Sequence, residues 1–368
     1  MFKRTLLAAS LGLAALASAQ AMAVTGGGAS LPADLYKSTV DGILPSNFSY
    51  AVTGSGTGKS AFLTNNSALF STTGTVHFAG SDSILSGTEL TNYNNNFSAS
   101  YGPLIQVPSV ATSVTIPYKK AGNTTLNLTS QQLCDAFSGA KTTWGALLNT
   151  TDSTPIRIVY RNVSSGTSEL LTRHLNSVCS SQFGVSSTFT SARLAGGTLP
   201  SNWVGVAETA DVVGQVNAVD GSIGYVSPDM VNIDSNAEVA QVNGKLPTRA
   251  LVTQALASSA VPADAVKNNP AQWVPVFTNP AAGYPIVGYT NFIFGQCYKD
   301  ANVAADVRAF ITKHWGGNTT ATAVRDHGFI ALTSGWKTAV HDTFVSNTSG
   351  LNLDINNANV CNASVGRP

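Results

Sequence analysis

Apolar residues along the chain switch repeatedly between a strand-like and a helix-like spacing. Ile156, Ile158, Val159 and Tyr160 read as a strand. Leu170, Leu171, His174, Leu175 and Val178 then share one face of a helix predicted from Ser168 to Cys179. The same alternation recurs from the start. Tyr50-Ala51-Val52-Thr53 leads through a glycine-rich turn to a helical stretch from Ser60, and Thr75 to Gly80 reads as a strand. Ser86-Gly87-Thr88-Glu89 and Thr129-Ser130-Gln131-Gln132 have the spacing of capping boxes, each opening a helix. Leu104 to Val107 and Ser113 to Pro117 read as strands able to cross between lobes, and Ser222 to Ser227 as a buried strand. Residues 243–280, richer in Ala, Pro and Asn, predict loops and a short helix. Pro285 to Phe294 is strongly apolar and strand-like, and helices follow around Val303–His314 and Gly335–Val345. Alternation of this kind predicts an α/β fold.

The first residues stand outside that pattern. Lys3 and Arg4, the apolar run Leu6 to Leu16 and the small-residue site Ala21-Met22-Ala23 make residues 1–23 a secretory signal peptide, with a mature start at Val24. No Cys stands at that junction, which argues against lipid anchoring, and no later apolar run reaches the roughly 18 residues of a membrane span. The expectation is a periplasmic or secreted protein without membrane insertion. Of the chain's 368 residues, those beyond 23 exceed one usual core, so two lobes are expected.

Charged residues are only 11% of the chain and the net charge is +1, which excludes a field able to hold nucleic acid. Any anion site must therefore come from local geometry. Four cysteines in an exported chain predict two disulfides, for which three pairings exist. Cys134–Cys179 and Cys297–Cys361 are preferred because each stays within one expected lobe.

Candidate chemistry gathers at strand-to-helix junctions. Arg161-Asn162-Val163-Ser164-Ser165-Gly166-Thr167 puts hydroxyls and unpaired N–H groups at a helix start, with a forked cation just upstream. Such an end binds oxyanions, although a plain helix cap accounts for the same residues. Gly26-Gly27-Gly28-Ala29-Ser30-Leu31-Pro32 permits close backbone approach and offers the Ser30 hydroxyl and the Leu31 N–H. Gly54-Ser55-Gly56-Thr57-Gly58-Lys59-Ser60 is not a nucleotide P-loop. Gly54 leaves three residues before Gly58-Lys59 where four are required, and Thr53 stands where glycine is needed. It remains a hydroxyl- and amide-lined turn at a helix start, with Ser55 and Thr57 among its hydroxyls. Asp82, within Ala79-Gly80-Ser81-Asp82-Ser83, is either a turn cap or a selective acceptor. A carboxylate tolerates an anion that donates a proton, as monohydrogen phosphate does and sulfate does not.

These four junctions occur in the order seen in periplasmic phosphate-binding proteins, and within that superfamily the chain resembles the DING proteins. The resemblance rests on Gly26 to Pro32, Gly80-Ser81-Asp82-Ser83, Gln106 to Val110, Trp273 to Phe277 and the ending Asn359-Val360-Cys361-Asn362. It implies a two-lobed periplasmic binding protein of type II, a Venus flytrap with a phosphate cleft. Lobe I is expected from 24–108 plus 286–368 and lobe II from 109–285. Carried over by motif, Ser30, Leu31, Ser55, Asp82, Arg161, Ser165, Gly166 and Thr167 form the site, with no cofactor or metal. The implied partners are inorganic phosphate and a phosphate ABC transporter, with the protein as a monomer. The mature start, Ala23-Val24-Thr25-Gly26, departs from the Asp-Ile-Asn-Gly that names the group, and Ser30 stands where relatives often have Thr.

Some DING-like proteins are described as alkaline phosphatases, so phosphomonoester hydrolysis is the alternative expectation. His77, His174, His314, His327 and His341 form no His-x-His or Glu-x-x-His pattern for a metal, and no Cys-x5-Arg signature is present. Ser83 beside Asp82 is a conceivable nucleophile, and His174 reads as a satisfied core residue.

Overall fold

The computed structural model describes residues 24–194, 196 and 198–368; the predicted signal peptide lies outside them. Among the described residues eleven strands form three sheets. They are β1 (Val24–Gly28), β2 (Phe48–Val52), β3 (Phe78–Ser81), β4 (Leu104–Ser113), β5 (Tyr118–Lys119) and β6 (Asn127–Leu128). Then come β7 (Arg157–Arg161), β8 (Val204–Val206), β9 (Ser222–Gly224), β10 (Gln241–Val242) and β11 (Val287–Gly295). One sheet runs β2-β1-β3-β11-β4, another β5-β9-β7-β8, and β10 pairs with β6. Each larger sheet is the centre of one lobe of a two-lobed α/β fold.

In the five-stranded sheet β1 lies parallel to β2 and β3, while β11 runs antiparallel to β3 and β4. In the second sheet β7 is parallel to β8 and β9. Parallel strands need helical crossovers, and ligands of such sheets collect beyond the carboxyl ends of the strands. Those ends include Gly28, Val52, Ser81 and Arg161, each inside or within two residues of a candidate motif.

The expected elements form with local shifts. The two segments expected as separate strands around 104–107 and 113–117 are partly one ten-residue strand, β4, buried along its whole length. Its pairing with β11 slips once, between Thr290 and Asn291. Both capping boxes are present, at Ser86/Glu89 and Thr129/Gln132. The helix predicted from Ser60 begins at Ser55, so the glycine-rich turn is itself helical.

Glycine within a helix costs about 1 kcal/mol relative to alanine, and packing explains its use here. A Cβ on Gly58 would lie 2.5 Å from the Cα of Gly28, and one on Gly56 would overlap the Ser164 hydroxyl. The cysteines pair Cys134–Cys179 and Cys297–Cys361, as expected. The first disulfide ties the helix Ser130–Ser138 to the end of the helix Gly166–Cys179. Among the described residues no helix is long and apolar enough to cross a membrane.

Candidate functional site

Arg161 is the last residue of β7 and only 1% exposed. Its backbone N–H donates to the Tyr225 hydroxyl at 2.9 Å, which fixes the strand end. The guanidinium reaches out of the second sheet toward the first. Nη1 donates to Ser30 Oγ at 2.7 Å, to Ser165 Oγ at 3.2 Å and to Thr209 Oγ1, while Nη2 donates to the Ala207 carbonyl. Nε is buried with no hydrogen-bond partner among the described residues. Burial lowers the Arg161 pKa, opposed by the charges of Glu208, Asp82 and Asp211.

Two helices aim their N-termini at the same place. Gly54, at φ 87°, precedes the helix Ser55–Thr64, and Ser165 precedes the helix Gly166–Cys179; neither residue supplies a side-chain cap. The Ser165 hydroxyl accepts from Arg161 instead, so the cap explanation of the Ser-Ser-Gly-Thr run does not describe its side chain. Helix ends without such caps leave backbone N–H groups available to an anion, and the helix dipole favours negative charge there. The N–H of Gly166 points across to Ser55 Oγ at 3.2 Å. A Cβ on Gly166 would overlap that of Asp82 and lie 2.7 Å from Ser55 Oγ, so only glycine permits this approach. The Thr167 hydroxyl, one residue on, is buried and has no partner among the described residues.

Asp82 follows β3 and is 2% exposed. Its N–H donates to Ser55 Oγ at 3.1 Å, and Ser55 Oγ lies 3.4 Å from Oδ2. Oδ1 is buried without a hydrogen-bond partner among the described residues. Burial pushes the carboxyl up to about 7, against the opposing pull of Thr290, the Arg161 charge and Ser55, while Glu169 adds to the rise. An unpaired buried acceptor is costly unless a donor completes it.

Seven of the eight candidates, Ser30, Ser55, Asp82, Arg161, Ser165, Gly166 and Thr167, thus surround one buried locus between the lobes. Leu31 is fully buried in the turn between Ser30 and the short helix Ala33–Lys37. Thr57 lines an outer groove with Lys59 and Ser164, away from Asp82.

Thr209 was missed from the sequence. Its hydroxyl meets both Arg161 and Ser30 Oγ, the latter at 2.8 Å. A signal existed, because Thr209 follows β8 and heads the helix Ala210–Ala218, a fifth strand-to-helix junction.

The remaining candidates lie elsewhere. His174 bonds Thr278 O and Ser130 Oγ, and burial lowers its pKa to about 4, as a satisfied core residue requires. Ser83 is fully buried with its hydroxyl 3.2 Å from Ser81 Oγ. Among the described residues no three or more His, Cys, Asp or Glu are grouped to hold a metal ion.

A buried arginine, an unpaired carboxylate oxygen and two convergent helix N-termini at an interlobe locus define the class: a two-lobed binding protein with a site built for a small oxyanion. Residues 15–312 match the model of the PBP superfamily domain. The chain belongs to the PBP superfamily. It is 72% identical, over the full length of both chains, to a Pseudomonas aeruginosa protein called alkaline phosphatase L. Among solved structures it resembles a phosphate-binding protein from Stenotrophomonas maltophilia at 49% identity and TM-score 0.87, covering 94% of this chain and 99% of the other. It also resembles PfluDING, described as a high affinity periplasmic phosphate-binding protein bound with phosphate, at 41% identity, TM-score 0.87 and the same coverage.

Proposed function

We propose that the protein is an exported, high-affinity inorganic phosphate-binding protein for phosphate scavenging or uptake, acting in the periplasm or outside the cell and delivering to a phosphate ABC transporter. The observation that carries this is the placement of Asp82 against Arg161 and the Gly166 helix end. Cationic and N–H donors hold an oxyanion, while the acceptor-only carboxylate demands a ligand O–H. Ser30, the Leu31 N–H, Ser55, Arg161, Ser165, Gly166 and Thr167 are the donors in this reading, and Asp82 is the acceptor. Each charge-assisted hydrogen bond contributes roughly 1.5–3 kcal/mol, so a handful reaches micromolar affinity or better after desolvation. The lobes divide as 24–108 plus 286–368 and 109–285; the separate membership of the two larger sheets supports two such lobes, with the first crossing falling after β4, which stays in the five-stranded sheet to Ser113.

A second reading, phosphomonoester hydrolysis, is favoured by the name of the Pseudomonas aeruginosa relative. One experiment separates the two. Wild type, Arg161→Ala and Asp82→Asn are assayed for phosphate binding by calorimetry and for phosphomonoester hydrolysis through successive purification steps. Binding lost in the variants with no hydrolysis that tracks the protein is the expected result. Hydrolysis that survives purification in wild type and disappears in both variants makes the cleft an active site.

A further inference from the structure

Just outside the anion locus the two lobes touch through a seam of glycine and serine. Gly54 and Gly56 flank Ser55, and Ser164 precedes Ser165, so every residue of the seam is a chain neighbour of a site residue. A Cβ on Gly54 would lie 2.5 Å from the Ser164 carbonyl oxygen, and one on Gly56 would overlap the Ser164 hydroxyl. Ser164 therefore fills the space that a side chain at position 56 would take. It is held from behind. Its hydroxyl bonds the Ser187 hydroxyl at 2.9 Å, and the Ser187 carbonyl accepts from the N–H of Ser165 at 2.8 Å. Inside the seam Ser55, Ser165 and Gly166 are buried. Outside it Gly56, Ser164 and Ser187 are half-buried and open on a groove of about 390 Å³.

We propose that Ser164, braced by Ser187 and seated on Gly54 and Gly56, is a specificity-determining residue that bars phosphomonoesters from the closed cleft. This rests on the phosphate-binding reading above and names what that site refuses. Phosphate and a monoester present the same kind of tetrahedral oxyanion to Arg161 and to the helix end at Gly166, so those donors do not separate them. The ester differs in carrying carbon on one oxygen, and an enclosed locus has no room for it. That carbon has to leave between the lobes, and on the Ser55 side the way to the groove is filled by the Ser164 hydroxymethyl group. A close-packed contact does not take up even a methyl group without moving its neighbours. With an ester bound the lobes stay apart, and donors that closure would pair with the anion are left incompletely paired. Glycine at 54 and 56 lets the two walls meet, and Ser164 supplies the side chain that fills the join.

The test compares phosphate with methyl phosphate, by calorimetry, on the full mature chain at pH about 6. There Asp82, its carboxyl pushed up to about 7, is mostly protonated, so an ester without a proton is not refused by charge. Wild type is expected to prefer phosphate by roughly a hundredfold, and Ser164→Gly, which removes the hydroxymethyl group, to cut that preference by about tenfold. Gly56→Ala puts a Cβ where the Ser164 hydroxyl stands. The backbone at Gly56 is not left-handed and alanine is the better helix former, so the ligand-free melting temperature should hold or rise. Overpacking of the closed form should nevertheless raise the phosphate dissociation rate roughly tenfold in stopped flow. Adding Ser164→Gly makes room for the new Cβ and should return that rate to within about threefold of Ser164→Gly alone. A merely structural role predicts neither the rescue nor a change in the ratio of the two affinities. A wild type that binds methyl phosphate as tightly as phosphate overturns the gate, as does a Ser164→Gly variant with the wild-type preference or a double variant that releases as fast as Gly56→Ala. Should Ser164→Gly fail to fold, Gly56→Ala decides alone, and release at the wild-type rate overturns the proposal. A wild type that binds no phosphate overturns the proposed function itself, and the gate with it; a wild type that binds phosphate, with variants that share its preference and its release rate, overturns only the gate.

Discussion

Asp82 makes selection between phosphate and sulfate a function of pH. Its carboxyl, pushed up to about 7 by burial, is charged at alkaline pH and protonated at acid pH. Phosphate keeps a proton of its own across the alkaline range and can donate it to the ionised carboxylate. Sulfate has none, so it fits only when Asp82 is protonated. Above the folded pKa each pH unit adds about 1.4 kcal/mol, or a factor of ten, to the cost of supplying that proton. Between pH about 7, where half of the carboxyl is protonated, and pH about 9 sulfate affinity should therefore fall roughly fiftyfold, while phosphate affinity loses far less. The assay is calorimetric titration with each anion across that range at constant ionic strength. In Asp82→Asn the side-chain amide supplies a donor at every pH, so sulfate binding should become flat with pH and the preference for phosphate should collapse. Sulfate affinity that does not change with pH in wild type, or an Asn variant that still rejects sulfate, refutes the reasoning.

The same group makes a prediction about folding. The folded state holds the Asp82 proton more tightly than the unfolded chain, whose value lies near the ordinary 3.8 of an aspartate. Between those values the native protein binds more protons, so stability is full below the unfolded pKa and declines as pH rises through about 7. The decline attributable to this residue is on the order of 4 kcal/mol. Denaturant unfolding of ligand-free wild type and Asp82→Asn should diverge over that interval, with the variant losing this part of the pH dependence.

Other substitutions probe the remaining walls of the site. Arg161→Ala should abolish measurable phosphate binding, since it removes the cation and the fork that spans Ser30, Ser165 and Thr209; calorimetry at millimolar phosphate checks it. Thr209→Val should weaken phosphate binding by about tenfold, on the order of the 1.4 kcal/mol expected for a hydrogen bond to a charged group, read as a shift in calorimetric Kd. Gly166→Ala should cost more than tenfold in affinity, because the added Cβ overlaps that of Asp82 and holds the lobes apart. Its ligand-free melting temperature should move little, and a large drop there would place the effect in folding instead. Reduction of the two disulfides, closing loops of 45 and 64 residues, should remove roughly 4 kcal/mol each by chain entropy, seen as a lower denaturant midpoint with reductant.

The parts of this site that were legible in the sequence share a physical cause. Arg161, Ser165, Gly166 and Thr167 form a contiguous run, and a strand end followed by hydroxyls and glycine exposes N–H groups wherever it occurs. Asp82 was half legible: its chemistry offered a selective acceptor or a plain turn cap, and only the family resemblance placed it in the site. Thr209 was not, because Ala207-Glu208-Thr209-Ala210 has neither glycine nor a second hydroxyl to mark it. Its role arises only when Arg161 reaches it from a neighbouring strand. The start of the helix at Ser55 was hidden for the opposite reason. Gly56 and Gly58 argue against a helix by propensity, and the structure overrides that cost to bring the helix against Gly28 on one side and Ser164 on the other.

Close approach also explains how a chain with so few charges can hold a dianion. Its net charge of +1 supplies no long-range field, so the binding energy has to come from a few dipoles and one guanidinium at short range in a dry setting. Glycine at positions 28, 58 and 166 is what permits that range. Without a Cβ at Gly58 the Ser55 helix settles on β1, and without one at Gly166 the second helix end meets Asp82 and Ser55 across the lobes. Electrostatic interactions strengthen as water is excluded, so each such approach increases the effect of the donors around it. It increases equally the penalty for an anion that leaves Asp82 facing an oxygen without a proton. Affinity and selectivity in this cleft therefore have the same origin, and a substitution that widens the cleft, such as Gly166→Ala, should erode both together.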